Sequence, residues 1–344
     1  MRILLVCSLV LALGWIGRSH GQETAAWPGY DIQYGEWGLC HYPWTDPGPM
    51  SCVAPANAPL SGYIPFLAQI FVDRPDEDFK PAWRWRGKAL FQKQHVCGGA
   101  LVAPDWVLTA AHCISPDQIE KGYKVKIGAH NISNPDDGIV MDIAEVVRHP
   151  NFRTYRRDDI ALVRLKPRAG VKVGNPPPFD LYGISPRPPA SSPSDRPIYF
   201  IDIARPVGTP VNRMPWGFEK VTIFGWGKSK NVEGDAASPL TYRVELKALK
   251  NDFCARLDGF GASKIFDTTF CAVDARQKTC RGDSGGPVLD HTGNIIGIVS
   301  WGKRQCLGDG QPGVYTRVAA YADWVDSVIS DSLRERLANG ESPR

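Results

Sequence analysis

The sequence predicts an all-β fold closed by a C-terminal α-helix. Three observations carry that expectation. From Ile64 onward, apolar residues come in runs of strand length, such as 66–72 and 221–227, with polar or glycine-containing breaks after them. Residues 123–128 alternate apolar and polar side chains, the period of a half-buried strand. Near the end, Tyr321, Trp324, Val325, Val328, Ile329, Leu333 and Leu337 recur at helical spacing, with a stop near Gly340.

Taken in order, residues 1–21 open with Arg2 and then an apolar run to Leu13, which reads as a secretory signal peptide cleaved near Gly21. Residues 22–52 are rich in aromatics, Pro and Gly without strand or helix period. They read as an irregular N-terminal extension around Cys40 and Cys52. Its Trp27, Trp37 and Trp44 either strap the main domain or form a docking surface. The main domain spans 53–330. After the strand at 66–72 comes a polar turn at 73–78, and Trp83-Arg84-Trp85-Arg86-Gly87-Lys88 reads as a solvated hairpin tip rather than a polyanion site. His95-Val96-Cys97-Gly98-Gly99-Ala100-Leu101-Val102 leads to Trp106-Val107-Leu108-Thr109. Residues 167–215 form a Pro-rich insertion. Proline lacks an N–H and avoids central strands, so this segment reads as a long crossover between two halves of the domain, a linker rather than a segment that shapes substrate access. A short helix is expected at 251–257 and a buried strand at 295–302. Residues 331–344 finish the C-terminal helix and end in a polar tail.

Length and charge narrow the function. A chain of 344 residues has room for one large domain or two small ones, with ample core. A net charge of +4 is too mild to direct it to nucleic acid or a membrane surface. Past the N-terminus nothing is long and apolar enough to span a bilayer. Of nine cysteines, Cys7 leaves with the leader, and an even set remains, which in an exported chain implies disulfides.

The chemistry centres on Thr279-Cys280-Arg281-Gly282-Asp283-Ser284-Gly285-Gly286-Pro287. Glycines on both sides of Ser284 permit a turn that other residues resist, holding the hydroxyl forward beside backbone N–H groups. Alone, such a stretch is equally a glycine-rich β-turn. Two more segments decide between them. Leu108-Thr109-Ala110-Ala111-His112-Cys113 offers an imidazole in a small, apolar setting, and Arg157-Asp158-Asp159-Ile160-Ala161-Leu162 offers a carboxylate at the head of a strand. An α/β-hydrolase elbow needs its histidine well after the serine, and His291 follows Ser284 by only seven residues.

Together these three segments, in the order His112, Asp159, Ser284, strongly resemble the trypsin/chymotrypsin-like serine protease family over about residues 53–330. The resemblance implies two six-stranded Greek-key β-barrels packed together, with a C-terminal α-helix. It implies a secreted, extracellular serine endopeptidase acting on protein or peptide substrates, open to protein inhibitors, without cofactor or metal. His112, Asp159 and Ser284 would be catalytic, and the N–H groups of Gly282 and Ser284 the oxyanion hole. Asp158 should point away from Asp159 by strand alternation. Implied disulfides are Cys97–Cys113, Cys254–Cys271 and Cys280–Cys306, which leaves Cys40 with Cys52. Asn131-Ile132-Ser133 is a glycosylation sequon. Ala129 stands where relatives that bind calcium place a first acidic ligand, so calcium is not expected although Asp136 and Asp137 remain.

Two departures from the family matter. The pocket for the residue before the scissile bond would be lined by Lys278, Ser300, Trp301, Gly302 and Gly313, with Lys278 at its floor. An ammonium there would repel Lys and Arg and favour Asp or Glu. Alternatively Lys278 bends away, or pairs with an acid such as Asp309, and leaves an apolar slot. The second departure concerns activation. Relatives are cut after a basic residue, and the new ammonium pairs with the carboxylate beside the serine, here Asp283. The corresponding stretch, Cys52-Val53-Ala54-Pro55-Ala56, lacks the usual glycine pair, and no Lys or Arg occurs between Arg18 and Arg74. Three readings stay open: another protease cuts here, the chain acts uncut, or it remains zymogen-like. The last admits a rival function, a protease-like binding or regulatory protein with a weak or inactive site.

Overall fold

A strand that alternates along its length needs an inside to face, and here each set of six strands makes one by closing on itself. The computed structural model describes the backbone of strands at 33–35, 38–41 and 51–52, and residues 64–75, 87–153, 157–168, 170–171, 173–174, 198–201, 203, 219–228, 237–257, 259–275, 278–302 and 310–341. The chain divides into two units, Met1–Ala54 and Pro55–Arg344.

In the smaller unit, β1 (Gln33–Gly35), β2 (Gly38–His41) and β3 (Ser51–Cys52) form an antiparallel sheet. The extension read as irregular is therefore stranded. Its strands are too short to show a period, which is why the sequence conceals them. The register sets Cys40 opposite Cys52.

In the larger unit, the first barrel holds β4 (Leu67–Val72), β5 (His95–Ala103), β6 (Trp106–Thr109), β7 (Tyr123–Ile127), β8 (Ile139–Arg148) and β9 (Ala161–Leu165). They close in the order β4-β5-β6-β9-β8-β7. A crossover pair follows, β10 (Val173–Gly174) parallel to β11 (Ile198–Tyr199). The second barrel holds β12 (Lys220–Gly225), β13 (Tyr242–Leu249), β14 (Thr269–Val273), β15 (Pro287–Leu289), β16 (Ile295–Gly302) and β17 (Gly313–Arg317). Its order, β12-β13-β14-β17-β16-β15, repeats the topology of the first. Full closure leaves no unpaired sheet edge on either barrel.

Each barrel fills its interior from the alternating positions. Ile70, Val125, Leu108 and Val163 are buried in the first, and Val221, Val244, Leu246 and Phe270 in the second, where Phe270 stacks on Tyr315. The seam between barrels is both apolar and hydrogen-bonded. Phe224, Trp226, Leu289 and Ile298 join the first barrel's core, and Trp226 Nε1 donates to His130 O at 3.3 Å.

The insertion at 167–215 is more than a linker where it is described. Ile198, Ile201 and Ile203 are buried, Ile201 N donates to Leu101 O at 2.9 Å, and Ile203 bridges Ile295. This crossover is stitched to both barrels. A helix that the sequence reading missed, α1 (Leu90–Gln94), buries no side chain and is held by Gln92 Oε1 accepting from Ala89 N at 3.0 Å. Most of the expected hairpin tip at 83–88 lies outside the described residues. The helix expected at 251–257 is α2 (Asn251–Arg256), and α3 (Ala322–Ala338) ends the chain's fold. Val325 anchors α3 in the core, and Arg336 pairs with Asp105 at 2.6 Å.

Candidate active site

Three turns meet at the seam. His112 lies in the single 3-10 turn Ala111–Cys113 that follows β6. The Cys97–Cys113 disulfide ties that turn to β5, with Cα atoms 6.0 Å apart. Asp159 precedes β9 and is buried. Its Oδ1 accepts the backbone N–H of His112 at 2.9 Å, and its Oδ2 meets His112 Nδ1 at 2.7 Å. A carboxylate only accepts, so the imidazole proton on this side sits on Nδ1 and Nε2 becomes the basic nitrogen. Ser300 Oγ also donates to Asp159 Oδ2, at 2.5 Å. Thr316 Oγ1 donates to the Asp159 carbonyl at 2.8 Å, so the second barrel holds both ends of this residue.

Asp158 turns away as expected, for a stronger reason than alternation. Its φ is +53, a left-handed turn that aims its carboxylate at Tyr321, whose hydroxyl donates at 2.8 Å.

Ser284 sits on the third turn. Gly282 and Gly285 take φ of +96 and +79, which a side chain would resist. A Cβ on Gly285 would also strike Thr109 Oγ1 and come within 3.1 Å of Cys113 Sγ. The absent side chain lets the serine turn abut the histidine turn. Gly98 N donates to Ser284 O at 2.8 Å, and Gly285 N to Val299 O at 2.8 Å, so the loop is held from both barrels. Hydrogen bonds among the described residues join His112 to Asp159 and do not include one from Ser284 Oγ to the ring. Such bonds tighten when substrate binds. The N–H groups of Asp283, Gly285 and Gly286 are donated to backbone carbonyls, whereas among the described residues those of Gly282 and Ser284 donate to no backbone acceptor.

Beneath this turn lies Asp283, 1% exposed. Its Oδ1 accepts Gly227 N at 2.9 Å, and its Oδ2 accepts Tyr242 Oη at 2.7 Å and Cys280 N at 2.8 Å. Burial raises its pKa to about 6 against the pull of these donors. Tyr242 was not anticipated. It is one apolar-facing position of an alternating strand, and nothing local distinguishes its hydroxyl from that of an ordinary core tyrosine. His95 braces the same turn. Its Nε2 donates to Gly282 O at 2.9 Å, and its Nδ1 accepts from Gln69 Nε2 at 3.2 Å.

Of the expected pocket residues, the structure gathers Lys278, Gly302 and Gly313. A Cβ on Gly302 would lie 4.0 Å from Lys278 Cε and 3.7 Å from Gly313 Cα. Behind Gly313, Tyr315 Oη lies 3.2 Å from Thr279 Oγ1. Ser300 spends its hydroxyl on Asp159, and Trp301 stacks on Phe260 with centroids 5.8 Å apart. Asp309 and Cys306 lie outside the described residues, although Cys280 is disulfide-bonded. Cys254 and Cys271 are joined, tying α2 to β14. Asn131 accepts from Ser133 Oγ at 2.6 Å in a turn.

Lys126 packs into the 129–137 loop. Its Nζ donates to Asn134 O at 3.2 Å and Pro135 O at 3.3 Å. Burial lowers its pKa, opposed by Asp137 and Asp136. Among the described residues the only metal-like grouping is Cys97, His112 and Cys113, and two of its sulfurs are joined as a disulfide rather than available as thiolates. No described helix is long and apolar enough to cross a membrane.

Two closed six-stranded barrels with a serine turn, a histidine turn and a buried carboxylate at their seam define a class of hydrolytic proteins. The Trypsin family model matches residues 75–325. The chain is 31% identical to trypsin of Squalus acanthias over 240 residues, 69% of this chain and 86% of that protein. It is 30% identical to granzyme M of Rattus norvegicus over 244 residues, 69% and 81% respectively. Among solved structures, neuropsin, a serine protease expressed in the limbic system of mouse brain, matches with TM-score 0.56 and 25% identity over 80% of this chain and 99% of that one. The chain belongs to the trypsin-like family of serine endopeptidases.

Proposed function

We propose that this chain is a secreted endopeptidase in which Ser284 is the nucleophile, His112 the general base and Asp159 its orienting carboxylate. Ser284 Oγ attacks the scissile carbonyl and gives its proton to His112 Nε2. The oxyanion that forms is received by the N–H groups of Gly282 and Ser284. His112 then protonates the leaving amine, and water repeats the sequence on the acyl-enzyme. The observation that carries this reading is the 2.7 Å contact of Asp159 Oδ2 with His112 Nδ1, which leaves Nε2 basic. The two N–H groups not donated to backbone carbonyls favour an enzyme over a binding protein without an oxyanion hole.

Reaction with a fluorophosphonate probe tests it. The wild-type chain should be modified at Ser284, and Ser284→Ala should abolish both labelling and peptide hydrolysis. Failure of the exported, folded chain to react in any form overturns the reading. The export leader is checked by sequencing the mature N-terminus, expected near Gly21.

Within that activity, Lys278 points to substrates with Asp or Glu before the scissile bond. Its chain passes beside Gly302, where a substrate side chain would enter, and a charge in such a slot is poorly screened. A peptide library varied at that position should show acidic residues cleaved best, and Lys278→Ala should reduce that preference at least about tenfold. Fast cleavage after Arg or Lys rules the preference out.

A further inference from the structure

Asp283 is buried directly beneath the nucleophile turn, and the sequence offers no trypsin-type cut that would supply it with a charged partner. Between Arg18 and Arg74 there is no Lys or Arg at which a trypsin-like cut could fall. The carboxylate's donors among the described residues are uncharged: two backbone N–H groups and the Tyr242 hydroxyl.

The site is built around that arrangement. A Cβ on Gly225 would strike Asp283 Oδ1, and one on Gly227 would strike its Cγ, so β12 and the following residues close the carboxylate in. Tyr242 reaches it from β13, where Tyr242 pairs with Gly225 of the neighbouring strand β12. Tyr242 is itself 2% exposed, and burial beside a carboxylate holds its pKa well above 10, so it remains a donor. Tyr315 also faces Asp283 electrostatically, and His95 bonds the neighbouring Gly282 carbonyl. A buried carboxylate deprived of one such donor suffers a substantial loss of stabilisation.

We infer that Tyr242 acts as the built-in positioning partner of Asp283, so that the uncut chain holds the 280–286 turn in its working form without a newly released N-terminus. Tyr242 is a positioning residue: it acts on the oxyanion donors through Asp283 and does not touch substrate. The inference rests on Ser284 being the nucleophile.

The experiment uses the full exported chain, shown by intact mass to be uncut between its mature N-terminus near Gly21 and Arg74, beside the same preparation after limited proteolysis. Tyr242→Phe removes one oxygen and keeps the ring; near-ultraviolet circular dichroism and a melting curve establish that the variant is folded. The uncut wild type should react with fluorophosphonate and hydrolyse peptide. In Tyr242→Phe, kcat should fall about 10- to 100-fold while KM stays within about twofold, because the pocket residues are untouched. Affinity for a peptide boronate, which loads the oxyanion hole, should fall by the same factor as kcat. The acid limb of the pH–rate profile should move to higher pH as Asp283 loses its donor. A purely structural tyrosine would leave that limb in place. Tyr242→Phe with wild-type kcat and acid limb overturns the inference, as does activity confined to cut preparations. If neither cut nor uncut wild type is labelled, the proposed catalytic reading falls, and this inference falls with it.

Discussion

At the scale of single residues, adjacent aspartates have been given different work by one backbone angle. Asp159 faces the imidazole, and Asp158, with φ +53, faces Tyr321. Asp159→Asn should therefore lower kcat by about 10⁴-fold, because an amide can present N–H to Nδ1 and reverse the tautomer. Asp158→Asn should leave kcat nearly unchanged but weaken the bond to Tyr321, lowering stability by roughly 1.5–3 kcal/mol. Steady-state kinetics and denaturant titration on the two variants separate these effects. Reversed outcomes would mean the two carboxylates have been assigned the wrong way round. The turns that carry His112 and Ser284 were legible because glycines and small residues flank them. Tyr242 was not, because its significance comes from a partner 41 residues away in the sequence.

At the scale of elements, alternation located the strands that line a core, and failed where an element has no buried face of its own. β7 and β16 were readable from their side chains alone. α1 was not, since none of its five residues is fully buried, and the crossover strands β10 and β11 are two residues each, shorter than any period. Proline content argued for a linker, but it says nothing of the isoleucines at 198, 201 and 203 that pin the crossover down. The histidine turn depends on a further element-scale device. The Cys97–Cys113 bond closes a loop with a sequence separation of 16 and fastens a three-residue turn that has no side-chain cap. Replacing both cysteines by alanine should cost about 3 kcal/mol in stability by the loop-entropy relation. It should also lower kcat more than KM, since the turn that loosens carries His112. An unchanged melting midpoint would show that the bond does not stabilise the barrel.

At the scale of the whole molecule, the site exists because two barrels are joined across a seam that is both apolar and hydrogen-bonded. Among the described residues no cation hydrogen-bonds the buried Asp283, and this has a consequence for stability against pH. Its folded pKa is raised to about 6 from an ordinary value of 3.8, with burial as the largest cause. Between these values the folded chain binds a proton that the unfolded chain releases. This group therefore favours the folded state increasingly as pH falls from about 6 towards 4. As pH rises through that window its contribution is lost, amounting to roughly 3 kcal/mol at 1.36 kcal/mol per pH step. Activity should run the other way, because the carboxylate, and not the neutral acid, can accept from both N–H groups and Tyr242 together. Melting midpoints and kcat should thus move in opposite directions as the chain is taken from pH 6.5 or so down towards 4.5. Asp283→Asn should remove its own share of the stability slope. A slope in that window identical in the wild type and the amide variant would show that Asp283 titrates elsewhere, and that the seam carries its buried charge by some means other than these three donors.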